Sequence, residues 1–301
     1  MNAIEVHDLR KSYRRKPAVQ GISFAVAEGE VFALLGPNGA GKTTTVEILE
    51  GFRTRDSGSV EVFGFDPGKG ERLYRERIGV VLQDTTIDRF LTVAETVELL
   101  GQGYPSPLPV GEALSLVGLL EQRNTRVGKL SGGQRRRLDM AVGLAGDPAL
   151  LFLDEPTTGF DPSARAEAWT TIEGLAARGT TILLTTHYME EAERLANRVA
   201  IITDGRVAAE GAPADLRNRM HILSTITFQL AADAPQPPLG SRRPDGVFEL
   251  RADDATEALH SLTSWAMSAG LRLGDLQVTR ASLEDVYLQL TRAAEQEDSL
   301  R

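Results

Sequence analysis

The stretch Val31–Leu49, VFALLGPNGAGKTTTVEIL, decides how this chain is read. Five apolar residues run unbroken into a glycine-rich loop, and TTTVEIL continues at helical spacing. Strand, loop and helix in that order are what a phosphate cradle requires. Gly36-Pro37-Asn38-Gly39-Ala40-Gly41-Lys42-Thr43 fits the pattern G-x-x-x-x-G-K-[ST], with Thr44 one residue further on. Glycines let backbone N–H groups converge on phosphate oxygens with no Cβ in the way. The helix behind the loop turns its positive end to the same anion. Lys42 is placed to reach the β- and γ-phosphates, and the Thr43 hydroxyl to bind Mg²⁺.

Working outward, three more apolar runs end in residues with usable chemistry. LLFLD closes at Asp154, with Glu155 directly after it. Continuous apolar runs of this length mark buried parallel strands, and ligands of parallel sheets collect beyond the strand C-termini. Asp154 is then a partner for Mg²⁺, and Glu155 a carboxylate able to orient and polarise an attacking water. TTILLTTH ends at His187, expected level with Asp154 on a neighbouring strand and in contact with the γ-phosphate. IGVVLQ ends at Gln83 in the same way. A second glycine loop, LSGGQ at Leu130–Gln134, stands directly before the amphipathic pattern QRRRLDMAVGLAG. It predicts another helix N-terminus facing an anion, with the helix starting near Gln134.

Strands alternating with helices over the first two thirds predict an α/β core on a parallel sheet. RVAIIT, the turn Asp204-Gly205 and RVAAEG predict a strand pair, and the middle, about residues 90–146, reads as a helical subdomain. After about Arg219 the texture changes. ILSTITFQL and GVFELRA read as strands, DATEALHSLTSWAMSAG as a helix and LRLGDLQVT as a further strand, with a Pro/Gly-rich loop between the first two. In ASLEDVYLQLTRA, Ser282 and Asp285 predict a helix start, and Leu283, Val286, Tyr287 and Leu290 one apolar face. The expected domains are thus residues 1–219 and a small α+β module at 220–301.

Composition narrows the function classes. The 301 residues contain no cysteine, which removes disulfides, Cys-ligated zinc and thiol catalysis. A net charge of −9 argues against general nucleic-acid binding. Arg135, Arg136 and Arg137 are read as a solvated helix face, not a nucleic-acid patch. No apolar run reaches the roughly 18–20 residues of a membrane span, and the N-terminus lacks a signal-peptide apolar core. The chain is therefore expected in the cytoplasm, with any membrane role exercised through a partner.

Taken together, these residues resemble the ATP-binding subunit of an ABC transporter over about residues 2–218. GPNGAGKT resembles Walker A, LLFLDE Walker B with the catalytic Glu, and LSGGQ the ABC signature. Thr158-Gly159-Phe160-Asp161 falls at the D-loop, with Phe160 where many members carry Leu and packing expected to survive. Gln83 falls at the Q-loop and His187 at the switch histidine. The resemblance implies a P-loop NTPase fold, ATP and Mg²⁺ as cofactors, and Glu155, His187, Gln83 and Lys42 as the catalytic set. Thr43, Gln83 and Asp154 are the implied metal-site residues. The nucleotide is implied to meet residues 36–44 and Asp161, with Tyr13 stacking on adenine. In this family the signature residues Ser131, Gly132, Gly133 and Gln134 reach the ATP of a second copy. Two chains would then pack head to tail as a homodimer with ATP at the interface.

ASLEDVYLQLT, QRRRLDMA and TTHYMEEAERLA resemble ATPase subunits of ABC-2-type exporters, especially the daunorubicin-resistance-like group. The segment Asp84–Leu100 is unusually polar for the place where the family receives its membrane subunit. The resemblance implies a separate polytopic permease of the ABC-2 type and a place on the cytoplasmic face of the membrane. It also implies export of a drug, antibiotic or lipid-like compound. A soluble ABC ATPase acting on nucleic acid or ribosomes, a regulatory ATPase and an importer subunit are the alternatives.

Overall fold

The computed structural model describes residues 1–14, 16–81, 87–219, 223–231, 234–279 and 282–298. The chain divides into two compact units, Met1–Pro213 and Ala214–Arg301. The division falls near the start of a short helix that the sequence reading gave wholly to the first domain.

The first unit opens with two long strands, β1 (Asn2–Tyr13) and β2 (Lys16–Ala27), followed by β3 (Val31–Leu35) and helix α1 (Lys42–Leu49). Next come β4 (Ser57–Val62), the single turn α2 (Arg72–Arg75) and β5 (Ile78–Val81). A helical stretch carries α3 (Val93–Gly101), α4 (Val110–Leu116) and α5 (Gly132–Gly143). The chain then alternates: β6 (Leu150–Asp154), α6 (Pro162–Ala177), β7 (Thr181–Thr186), α7 (Met189–Leu195), β8 (Arg198–Thr203) and β9 (Arg206–Gly211); α8 (Pro213–Arg219) follows, all but its first residue in the second unit.

These strands make two sheets. One is antiparallel, in the order β2-β1-β4. The other has the order β5-β6-β7-β3-β8-β9 and is parallel except for β9, which returns as the expected hairpin partner of β8. Every residue of β3 and β7 is buried, the burial that their unbroken apolar or small-residue sequences predict. Ile4, Val6, Val60 and Val62 of the antiparallel sheet share one core with Phe32, Leu34, Leu150 and Phe152 of the parallel sheet. Phe24 stacks on Phe32 across it, ring centroids 5.3 Å apart. Fully burying each such side chain contributes about 1.5–3 kcal/mol. The sheet order sets β3, β6 and β7 side by side, so the loops that leave them converge at one edge.

The second unit has a four-stranded antiparallel sheet in the order β11-β12-β10-β13, from β10 (Ser224–Gln229), β11 (Ser241–Arg242), β12 (Phe248–Ala252) and β13 (Gly274–Thr279). Helix α9 (Ala255–Ser268) adds Ala258 and Leu262 to a core of Ile226, Phe228, Phe248 and Leu250. The Pro/Gly-rich stretch read as a loop contains β11, held by Ser241 opposite Glu249 and Arg242 opposite Phe248. Helix α10 (Leu283–Asp298) begins as its sequence predicts. The Ser282 N–H and hydroxyl donate to the Asp285 carboxylate, and the Asp285 N–H donates to the Ser282 hydroxyl.

Candidate active site

The loop Gly36–Gly41 bridges β3 and α1, and neighbouring backbone forces two of its glycines. A Cβ on Gly36 would stand 2.2 Å from the Ile202 carbonyl oxygen, and one on Gly41 would stand 2.5 Å from that of Ala18. Both also have positive φ, 153° and 105°. Between them Pro37, Asn38 and Gly39 are exposed and Ala40 is buried. Gly41 is the N-cap of α1 and supplies no side-chain cap, and the first turn holds no acidic residue. The first N–H groups of α1 and its positive dipole end are left for an anion. Thr43 is exposed at this end, and Thr44 stands 3.5 Å from the Tyr13 hydroxyl.

Lys42 is 5% exposed, and its ammonium donates to the carbonyls of Gly36 (2.7 Å) and Pro37 (3.2 Å). Burial pushes its pKa down, while the carboxylates of Glu155 and Asp154 oppose that shift. The sequence-separated Lys42, Asp154 and Glu155 therefore share one electrostatic site.

Asp154 lies opposite Thr185 in the β6–β7 ladder, and the Thr185 hydroxyl donates to its carboxylate. Glu155, next in sequence, takes a left-handed backbone conformation with φ 46°. Its N–H donates to the carbonyl and the hydroxyl of Thr185, each at 3.1 Å. Its carboxylate lies 3.3 Å from His187 Nδ1 and accepts from the Thr158 hydroxyl at 3.0 Å. The expectation of His187 at the same sheet edge is thus met, and its ring also faces Tyr188 at 4.1 Å.

Residues 131–137 and, across from them, 158–161 with Ser163, Ala164 and Glu167 line an open cleft of about 740 Å³, to which Asp139 also contributes. On one side, α5 begins at Gly132, two positions before the expected start. Ser131 is its N-cap: the Gln134 N–H donates to the Ser131 hydroxyl (3.2 Å), and the Ser131 N–H donates to the Gln134 side chain (3.0 Å). This capping box satisfies part of the helix start; the Ser131 hydroxyl keeps a proton to donate, and the N–H groups of Gly132 and Gly133 precede the first intrahelical bond. On the other side, Asp161 caps α6 through the Ala164 N–H at 2.9 Å, and Phe160 is half-buried.

Tyr13, 38% exposed, borders a second cleft of about 590 Å³ with Phe52, Arg53 and Thr54. The Arg53 guanidinium lies over its ring at 5.2 Å and also pairs with Glu47. Gln83 lies outside the described residues. No group of three or more His, Cys, Asp or Glu side chains fit to hold a metal occurs among the described residues. The donor set fits Mg²⁺ bound mainly by phosphate oxygens and water, with the Thr43 hydroxyl and the Asp154 carboxylate nearby.

Two buried polar residues escaped the sequence reading. Arg136 is not a solvated face: it is 9% exposed and donates to the main chain at the end of β6. It shares the inner stripe of α5 with Met140 and Gly143, at i, i+4 and i+7, and that spacing was the available signal. Glu191 of α7 is fully buried and accepts from the Thr157 hydroxyl (2.7 Å) and the Trp169 indole (2.9 Å). It ties the loop after Glu155 to the helix after His187.

A phosphate loop after β3, a carboxylate pair at the end of β6 two strands away in the same sheet, and a signature loop on its own helical segment define an ATPase of the ATP-binding cassette class. The family described as "ABC transporter" matches residues 19–158, and a family described as "ABC transporter domain-containing protein-like, C-terminal domain" matches residues 224–282. Daunorubicin resistance ATP-binding protein DrrA2 of Streptomyces coeruleorubidus is 38% identical, covering 96% of this chain and 95% of its own. Nod factor export ATP-binding protein I of Paraburkholderia xenovorans is 41% identical, covering 96% and 97%. Among solved structures, an ATP-binding subunit of an ABC transporter superposes with TM-score 0.65 at 28% identity, over 72% of this chain and 93% of its own. The dimeric post-hydrolysis cassette MJ0796 bound to ADP and Pi superposes with TM-score 0.62 at 25% identity, over 69% and 98%. The chain belongs to the ABC transporter ATP-binding subunits and is an ABC ATPase.

Proposed function

We propose that this chain powers export of a drug, antibiotic or lipid-like compound by working on a separate polytopic permease of the ABC-2 type. It would do so from the cytoplasmic face of the membrane, as a homodimer that clasps two ATP molecules. The observation that carries the export reading is the match to daunorubicin-resistance and Nod-factor-export ATP-binding proteins over 96% of the chain, C-terminal unit included. No helix among the described residues is long and apolar enough to cross a membrane, so a transport role requires a partner that does.

The chemistry follows from the site. The N-terminus of α1 and Lys42 hold the β- and γ-phosphates, and Tyr13 offers its ring to the adenine. Mg²⁺, when bound near Thr43 and Asp154, supplies positive charge to the phosphate oxygens. Glu155 takes the proton of the attacking water, and His187 and Lys42 stabilise charge on the γ-phosphoryl group. Gln83 joins this set as the residue sensing the permease. Ser131 and the N–H groups of Gly132 and Gly133, with Gln134 holding their loop, meet the γ-phosphate of the opposite copy, and Asp161 lies at the same interface. Closure is favoured only by the difference in affinity that open and closed dimers have for ATP.

The test is a pull-down of the tagged chain from gently solubilised host membranes with ATP present. Near-equal recovery of a protein with about six spans supports the reading, and flux in inverted vesicles then separates export from import. Recovery of ribosomes or DNA-bound proteins with no membrane partner sinks it.

A further inference from the structure

We infer that Arg136 is a positioning residue that makes the placement of Glu155 depend on the signature helix of the same chain. Glu155 is not a glycine, yet it sits at φ 46°, a conformation that persists only where its surroundings over-determine it. From one side β7 holds it, with both Thr185 oxygens accepting the Glu155 N–H. From the other side the Arg136 guanidinium donates to three successive carbonyls. Its Nη2 reaches those of Asp154 (3.2 Å) and Glu155 (3.4 Å), and its Nε reaches that of Pro156 (3.2 Å). The planar fork spreads its donors over separate nitrogens and so spans three successive carbonyls from one rigid plane, whereas a lysine gathers its three N–H groups on a single nitrogen at the end of a flexible stem. Asp139, one turn further along α5, lies 3.9 Å from the fork and helps to set its plane.

Arg136 is rooted one turn inside α5, the helix that Ser131 caps. A helix moves as a rigid element, so a shift of the signature loop on meeting a phosphate carries Arg136 with it. The Glu155 carboxylate must keep its place beside His187 and Thr158 to orient water, and a misplacement of about 1 Å in such a group can cost a large factor in rate. One chain's engagement with the opposite ATP is thereby reported to the base acting on its own ATP. This coupling rests on the homodimer reading above; the positioning of Glu155 within one chain does not.

The test compares full-length wild type, R136K and R136Q in steady-state ATPase assays and in nucleotide binding, with melting curves alongside. The expected result is a turnover number down about tenfold in R136K and further in R136Q, with ATP affinity of the isolated chain within twofold of wild type and folded protein at assay temperature. Wild-type turnover in R136K, or loss of affinity in step with rate, overturns the inference. Each protein is then assayed with an excess of E155Q, so that each active chain is paired with an intact Arg136 and signature. A persisting tenfold deficit per R136K chain supports positioning of its own Glu155. Recovery to the wild-type level in the same mixture overturns it, because Arg136 would then act only through the signature loop. If wild type is indifferent to E155Q and stays monomeric with ATP, the dimer reading fails, and the turnover ratio of R136K to wild type still decides the positioning role.

Discussion

Lys42 and Glu50 show how one short helix carries two opposed electrostatic demands. Lys42, at the start of α1, is buried and held by two loop carbonyls, with Asp154 and Glu155 keeping its charge affordable. K42A removes the only ammonium on that loop. ATP affinity should fall about 10–100-fold, or roughly 1.4–2.8 kcal/mol, by equilibrium binding; normal affinity would contradict the role. Glu50, at the far end of α1, is 5% exposed with an unbonded carboxylate oxygen. Desolvation, then the charges of Asp154 and Glu47, push its pKa up from 4.5 to about 8. The folded chain therefore keeps this proton up to about pH 8, while the unfolded chain releases it near pH 4.5. Its contribution to stability is complete below pH 4.5 and is lost as pH rises through 8, with a slope of at most about 1.4 kcal/mol per pH unit. The melting temperature of wild type should fall relative to that of E50Q between pH 5 and pH 8. Parallel curves would contradict the buried, protonated Glu50.

Among the elements, α5 carries the strongest prediction. Ser131 both caps it and points a hydroxyl into the signature cleft. S131A should cost about 1 kcal/mol of stability from the lost cap. It should weaken ATP-driven pairing of chains at least tenfold while sparing the ATP affinity of the single chain; equal losses in both would assign Ser131 to its own nucleotide. The same helix shows where sequence reading stops. The strand-loop-helix at Val31–Leu49 was legible because an unbroken apolar run gives way to a glycine pattern and then to helical spacing. LSGGQ is legible as a loop, but two glycines carry no periodicity, so the pattern predicts a helix start near Gln134 where the helix begins at Gly132. Arg136 looked solvated because Arg135 and Arg137 flank it. Only its place four residues before Met140 marked it as inward, and its carbonyl partners lie 18 to 20 residues away in sequence. The two-residue β11 was invisible, since alternation cannot be read over two positions. Asp154, Glu155 and His187 were legible singly. Their meeting depended on β6 and β7 being neighbours, which the sequence suggested and the ladder supplies.

At the scale of the whole molecule, two units with separate cores should respond separately to damage. Phe228 is fully buried in the second unit and stacks on Phe248 at 5.4 Å. F228A should destabilise that unit by about 3–5 kcal/mol. The two tryptophans fall one to each unit, Trp169 in α6 and Trp265 in α9. Trp265 fluorescence in a W169F background should show an earlier transition, with ATP affinity unchanged; a matching loss of affinity would mean that the units fold as one. In the first unit the phosphate loop and the signature loop each offer a helix start to an anion, and in the proposed homodimer they meet two different ATP molecules held between two copies. The most direct measurement is the solution mass of E155Q at saturating ATP and Mg²⁺, by light scattering after size exclusion. The expected mass is about twice the 32.6 kDa of the chain, reverting to the single-chain mass when ADP replaces ATP. A species that stays at 32.6 kDa with nucleotide bound would contradict it.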